Sequence, residues 1–182
     1  MQLEYRLSTL SDVPALEVLI PASVRALQRD HYSSAQIEGA IGSVFGVDRQ
    51  LIRDGTYFVA TAGDELVGCG GWSRRRSRYG SDRDRTTEDP LRDPLREPAM
   101  IRAFFVHPGF ARRGIGRRLL ALAEEAAAHA GFRELETIAT LPGVPLYSAL
   151  QYEPVESFTI PLGNGASMPV VRMRKPLPLL HP

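Results

Sequence analysis

A chain of 182 residues, 43% of them hydrophobic, is long enough to bury one proper core. Its formal net charge of +1 argues against a protein that holds nucleic acid or a membrane surface by overall charge. A single cysteine, Cys69, excludes an internal disulfide framework and a thiolate-rich metal site, and suits a reducing cytoplasm.

The opening MQLEYRLSTL has no basic segment followed by an apolar core, so no signal peptide is expected. No apolar run approaches the length that spans a bilayer. Leu3, Tyr5 and Leu7 alternate with polar residues, which predicts a half-buried strand. Ser11 or Asp12 can cap a following helix, Pro14 fits its first turn, and Val13, Leu16, Ile20, Val24 and Leu27 recur at helical spacing. Pro21 is expected to kink or divide this helix. Ser33 and Gln36 form a capping-box pattern that opens a second helix, with Ile37, Ile41, Val44 and Phe45 on its apolar face. The β-branched and aromatic run 56–61, a turn at 62–65 and the run 66–72 predict a hairpin. Gly68, Gly70 and Gly71 weaken the second strand and imply a bulge or a close backbone approach.

Residues 74–97 are polar, charged with both signs and interrupted by prolines, which predicts a long mobile loop. Trp72 and Tyr79 flank Arg74, Arg75 and Arg76, a pattern open to a nucleic-acid reading. Asp82, Asp84, Glu88, Asp89 and Asp93 offset that charge, so a solvated loop is preferred, with substrate gating second and no nucleic-acid partner expected. Residues 100–106 predict a central strand. By its period of two, Arg102 shares a face with Met100 and Phe104. From that face Arg102 could clamp a substrate carboxylate or phosphate; equally, it could pair with an acid on a neighbouring strand or reach solvent along its stem.

The segment FFVHPGFARRGIGRRLL, residues 104–120, carries the most information. Its turn, Ala111 to Gly116, offers a row of backbone N–H groups at a helix N-terminus, where free amides and the helix dipole favour phosphate. Arg112, Arg113, Arg117 and Arg118 add positive charge around it. No Lys-Ser or Lys-Thr follows Gly116, so it is not a nucleotide P-loop; Leu119 stands where the dinucleotide fingerprint needs a third glycine. Ile115, Leu119, Leu122, Ala123 and Ala126 mark the inner face of the helix, and Gly131 ends it as a left-handed cap. A strand at 135–139, a short helix at 144–150 and a closing hairpin from 155–160 and 168–173 complete the chain. His31, His129 and His181 show no metal-ligand spacing, and no metal is expected. Cys69 reads as a small apolar strand residue rather than a nucleophile.

This segment closely resembles motif A of the GNAT superfamily of N-acetyltransferases. The whole order is also that of the family: strand, two helices, three strands, helix, strand, helix, two strands. The resemblance implies an α/β fold, a single domain over residues 1–182. Its mixed, mostly antiparallel, splayed sheet of six or seven strands would be flanked by about four helices, with 98–152 as the acetyl-CoA-binding core. Phe104, Phe105 and Val106 would then bind pantetheine through their backbone. The turn of Ala111, Arg112, Arg113, Gly114, Ile115, Gly116 and Arg117 would cradle the pyrophosphate, with Arg112, Arg113 and Arg117 reaching the 3′-phosphate or adenine. Ala111 replaces the family's usual Gln or Arg, and Thr140 stands where an Asn often meets the cofactor. In Leu146 to Tyr152, Tyr147 matches the family's proton donor to the leaving sulfur, while Gln151 replaces a glycine. Met100 occupies the place where many members carry a basic Glu. That leaves Glu97 as a catalytic candidate if its loop folds inward, with His107 another.

The activity so implied is acetyl transfer from acetyl-CoA to a primary amine by direct attack in a ternary complex. The alternative is a coenzyme A or acyl-CoA sensor without turnover. The partners implied are acetyl-CoA and an amine acceptor, without nucleic acid or membrane, in the cytoplasm. The closing hairpin offers an edge for a homodimer, which is common in this superfamily.

Overall fold

Alternating and helical patterns become seven strands and five helices in a computed structural model that describes residues 2–178. In chain order these are β1 (Leu3–Leu7), α1 (Val13–Leu27), α2 (Ser34–Ala40), α3 (Arg49–Arg53), β2 (Tyr57–Ala62), β3 (Glu65–Ser73) and β4 (Ala99–Val106). They continue with α4 (Ile115–His129), β5 (Glu134–Thr140), α5 (Val144–Ala149), β6 (Glu153–Pro161) and β7 (Ser167–Pro176).

The strands form one sheet in the order β1-β2-β3-β4-β5-β7-β6. Every neighbouring pair is antiparallel except β4 with β5. The architecture is therefore the mixed, mostly antiparallel α/β sheet that the resemblance implied. The parallel pair meets only over Ala99–Ile101 and Leu135–Thr137, although β4 runs on to Val106 and β5 to Thr140. Beyond Ile101 the two strands part, and the sheet splays at its centre.

Two apolar layers cover the sheet. On one face Leu16, Ile20 and Val24 of α1 pack with Tyr57, Val59 and Phe105. On the other, Leu120, Ala123 and Ala127 of α4 pack with Trp72, Ala99 and Ile101. Each fully buried Leu or Ile contributes about 1.5–3 kcal/mol, so both helices are fixed mainly by these stripes. Gly131, at φ +89°, ends α4 where the spacing predicted.

Several local expectations change. Pro21 does not divide α1, which continues to Leu27 with Leu19, Ile20, Ser23 and Val24 buried around it. A missing N–H costs one hydrogen bond, and packing on both sides of the proline outweighs it. The capping box of Ser33 and Gln36 forms, but α2 stops at Ala40 because Ile41 turns to an extended conformation before Gly42. Val44 and Phe45 therefore reach the core from a turn. The five-residue α3, capped by the Asp48 side chain accepting from Gln50 N–H at 3.0 Å, has no periodic signal in sequence.

Residues 74–97 hold one 3-10 turn, Asp82–Asp84, and otherwise no regular element. Polar contacts fasten them: Arg75 pairs with Asp54 at 2.7 Å, Arg85 with Asp48, and Ser81 Oγ donates to the Gly42 carbonyl at 2.6 Å. The arginine run is largely engaged, with Arg74 over the Trp72 ring at 5.2 Å and Arg76 paired with Glu97 at 3.2 Å.

The main correction lies in β4. Cys69 pairs with Phe105 but Gly71 pairs with Arg102, so two residues of β4 oppose Gly70 alone. This bulge places Ala103 at φ +59°, a conformation that costs a non-glycine residue about 1–2 kcal/mol. Tyr57 Oη holds it by donating to the Ala103 carbonyl at 2.9 Å. Beyond the bulge the alternation flips. Phe104 packs toward Ile115 and Leu119 of α4, whereas Phe105 joins the α1 layer. Phe104 thus does not share the face of Arg102. A Cβ on Gly70 would overlap the Phe104 ring, so the close approach implied by the glycines is the room that ring needs.

Candidate active site

The splay between β4 and β5 opens a cleft of about 630 Å³. One end is the turn before α4. Among the described residues, no carbonyl or side chain accepts from the backbone amides of Arg112 through Arg117; the first donation into the helix is Arg118 N–H to the Gly114 carbonyl at 3.0 Å. Gly114 at φ +82° and Arg112 at φ +64° bend the chain so that this row of donors forms. Six free N–H groups, the α4 dipole and nearby guanidiniums all favour negative charge at this end of the cleft. Arg113 lies against the Phe110 ring at 5.1 Å.

The stem of the cleft runs along the freed edges of the two strands. Phe104, Phe105 and Val106 line one side, and Ile138, Ala139 and Thr140 the other. Ser23 of α1 fixes the β4 side, its Oγ accepting from Val106 N–H at 3.2 Å. At the last paired position, Thr137 Oγ1 donates to the Ile101 carbonyl at 3.2 Å, closing the fork.

Tyr147 lies beyond the fork on α5 and lines the cleft. Its ring meets Tyr152 edge-on at 5.3 Å. Tyr152 Oη in turn donates to Glu124 at 2.9 Å, which also pairs with Lys175 at 2.8 Å. Burial pushes the Tyr147 phenol up to about 12, and the Thr137 hydroxyl pulls it in the other direction. It therefore holds its proton at any ordinary pH.

Of the residues expected to bind a cofactor, Phe104, Phe105, Val106, Ala111, Arg112, Gly114, Ile115, Gly116, Arg117, Thr140 and Tyr147 all line this one cleft; Arg113 lies outside its lining. Arg102 also lines it but is 5% exposed. Its Nη2 donates to the Gly80 carbonyl at 2.7 Å and pairs with Asp48 at 3.0 Å. Glu97 lies outside the lining, tied to Arg76 and accepting from Asp93 N–H at 2.8 Å. His107 is also outside, its Nδ1 accepting from Gly109 N–H at 3.1 Å. Burial raises the Cys69 thiol to about 12, which withholds the thiolate a nucleophile needs. His181 falls outside the described residues. Among the described residues no three His, Cys, Asp or Glu side chains gather as a metal site, and no helix is long and apolar enough to cross a membrane.

The far wall of the cleft was not legible in sequence. Leu27, Gln28, Phe45, Tyr79, Ile160 and Val170 come from five separate stretches and meet only in the fold. Asp48, 1% exposed, is the hub behind this wall, taking both Arg85 and Arg102. An N-cap Asp between a Val and an Arg carries no sign of that role. The arrangement as a whole suits an extended ligand with an anionic head, a narrow stem and a reactive end beside a protonated phenol.

A sequence profile described as the acetyltransferase (GNAT) family matches residues 24–150, more than half of the chain. No curated protein matches the sequence. Among solved structures, a GCN5-related N-acetyltransferase from Rhodopseudomonas palustris superposes with a TM-score of 0.72 at 20% identity, over 97% of each chain. The PaiA N-acetyltransferase of Thermoplasma acidophilum, in complex with coenzyme A, gives 0.67 at 15% identity, covering 97% of this chain and 100% of its own. The putative acetyltransferase yncA of Salmonella typhimurium, with its cofactor acetyl-CoA, gives 0.66 at 14% identity, over 100% of this chain and 98% of its own.

Proposed function

The chain belongs to the acetyltransferase (GNAT) family, and from that membership we propose that it moves an acetyl group from acetyl-CoA to a primary amine by direct attack in a ternary complex. One observation carries this reading: a single cleft joins a row of free amides at a helix N-terminus to a buried, protonated tyrosine. The residues fit coenzyme A. The amides of Arg112 to Arg117 suit a pyrophosphate, and the side chains of Arg112 and Arg117 suit a further phosphate. The edge of β4 at Phe104–Val106, less the Val106 N–H that Ser23 already holds, suits the amides of pantetheine, as an added strand would. Thr140 offers a hydroxyl from β5.

In the reaction the neutral amine nitrogen attacks the thioester carbonyl carbon. The C–N bond forms, the C–S bond breaks, and the amine gives up a proton. Tyr147 supplies a proton to the departing sulfur, the proton lost by the amine passes to solvent water, and solvent restores the phenol, so the products are an amide and a thiol. Positioned acid catalysis of this kind contributes about 10²–10⁴-fold. Tyr147→Phe is therefore expected to lower kcat by about 10²-fold, while calorimetry shows an unchanged acetyl-CoA Kd. Unchanged turnover would remove the acid role from Tyr147. No acetyl-CoA binding at millimolar concentration would remove the whole reading.

A coenzyme A-binding sensor without turnover is the second reading. It is favoured by a cleft whose described lining holds no carboxylate or imidazole to serve as base. Acetyl-CoA binding without coenzyme A release across a broad amine panel would decide for it.

A further inference from the structure

The charged side chains that line the cleft are all guanidiniums: Arg78, Arg102, Arg112 and Arg117. Arg112 and Arg117 belong to the turn at the anionic end. Arg102 is buried and already balanced by Asp48. Its remaining role is visible in its bond to the Gly80 carbonyl at 2.7 Å, which fixes the chain two residues from Arg78 and sets Tyr79 and Arg78 on the far wall.

Arg78 itself is weakly engaged. Its side chain is 52% exposed, and its nearest carboxylate, Glu136, stands 3.8 Å away, beyond hydrogen-bond length. Glu136 spends its other oxygen on Arg172 at 3.3 Å and Arg174 at 2.8 Å. The same cleft carries an apolar wall, built by Leu27, Val44, Phe45, Ile160 and Val170. Gln28 adds one buried polar group, and its Oε1 has no partner among the described residues.

Such a surround acts on an entering amine in two ways. Positive charge disfavours the ammonium form, so it helps to deliver the neutral nucleophile that a cleft without a base requires. The same charge draws an oxyanion on the acceptor, because a free guanidinium presents paired donors that match a carboxylate. A polyamine or a lysine side chain offers only more positive charge.

Building on the transferase reading above, we infer that the acceptor is a small amine that also bears a carboxylate on an apolar body, the class to which free apolar amino acids belong. Arg78 receives the carboxylate and the apolar wall receives the body.

The test follows coenzyme A release at saturating acetyl-CoA with the proteinogenic amino acids, each paired with its carboxamide. Apolar free acids are expected to exceed their amides in kcat/KM by about tenfold, through KM, as for a lost charge-assisted contact. Arg78→Ala is expected to erase that preference by raising KM for the acid far more than for the amide, leaving the acetyl-CoA Kd unchanged; Arg78→Lys restores part of it. Amides that react as well as acids, or a loss in Arg78→Ala shared equally by both, would overturn this assignment and leave the transferase reading standing. Bound acetyl-CoA with no acceptor acetylated would overturn the transferase reading and this inference with it.

Discussion

Burial gives Tyr147 the property a proton donor needs. A phenol raised to about 12 is in its acid form throughout the working range, and its loss of activity would come only as pH rises through that value. The kcat profile is therefore expected to show no falling limb owned by Tyr147 between about pH 6 and 10. A falling limb in that interval that Tyr147→Phe abolishes would show that the phenol titrates there. Asp48 makes a different kind of demand. It lies at 1% exposure between the guanidiniums of Arg85 and Arg102. Asp48→Asn leaves both cations facing a neutral amide, and urea unfolding is expected to show a loss of about 3–5 kcal/mol. The change also frees Arg102 from its partner, so the segment around Gly80 is expected to become more open to proteolysis.

At the scale of elements, two left-handed residues besides Arg112 of the amide-lined turn position the site. Ala103 bears the bulge that turns Phe104 toward α4 and Phe105 toward α1. Gln151 is the other, at φ +70° in the turn that follows α5. It stands where the family resemblance expects a glycine, and the backbone keeps the left-handed geometry with a side chain present. Tyr152 N–H donates to the Tyr147 carbonyl at 3.0 Å, so this geometry closes the end of the helix that carries Tyr147. The Gln151 side chain is exposed. Gln151→Gly is expected to stabilise the protein by about 0.5–1 kcal/mol in denaturant titration, the strain relieved exceeding the added chain entropy. Activity should be preserved, since the backbone stays in place.

For the whole molecule, the central splay couples ligand to fold. A ligand seated in the fork bridges β4 and β5, which otherwise meet over only three residue pairs. Coenzyme A at a hundred times its Kd is expected to add about 2.7 kcal/mol. That corresponds to a rise in melting temperature on the order of 5–10 °C for a chain of this size; no rise with coenzyme A in such excess would contradict binding in the fork. The sequence by itself determined the strands, four of the five helices, their order and the amide-lined end of the cleft. Those features are local: alternation, helical spacing and a glycine turn act between residues close in the chain, and Ala111 to Arg117 form their amide row from one continuous segment. The opposite wall was decided only by tertiary structure. Arg78, Gln28, Phe45 and Val170 become one wall because α1, the chain after α2, the 74–97 segment and β7 converge on the fork. The pairing of Asp48 with Arg102 spans more than fifty residues. Even the face of Phe104 escaped the period of two, because the bulge at Ala103 depends on a hydroxyl from Tyr57 on another strand. Contacts between distant segments leave no periodic trace, and it is they that shape the far wall of the cleft.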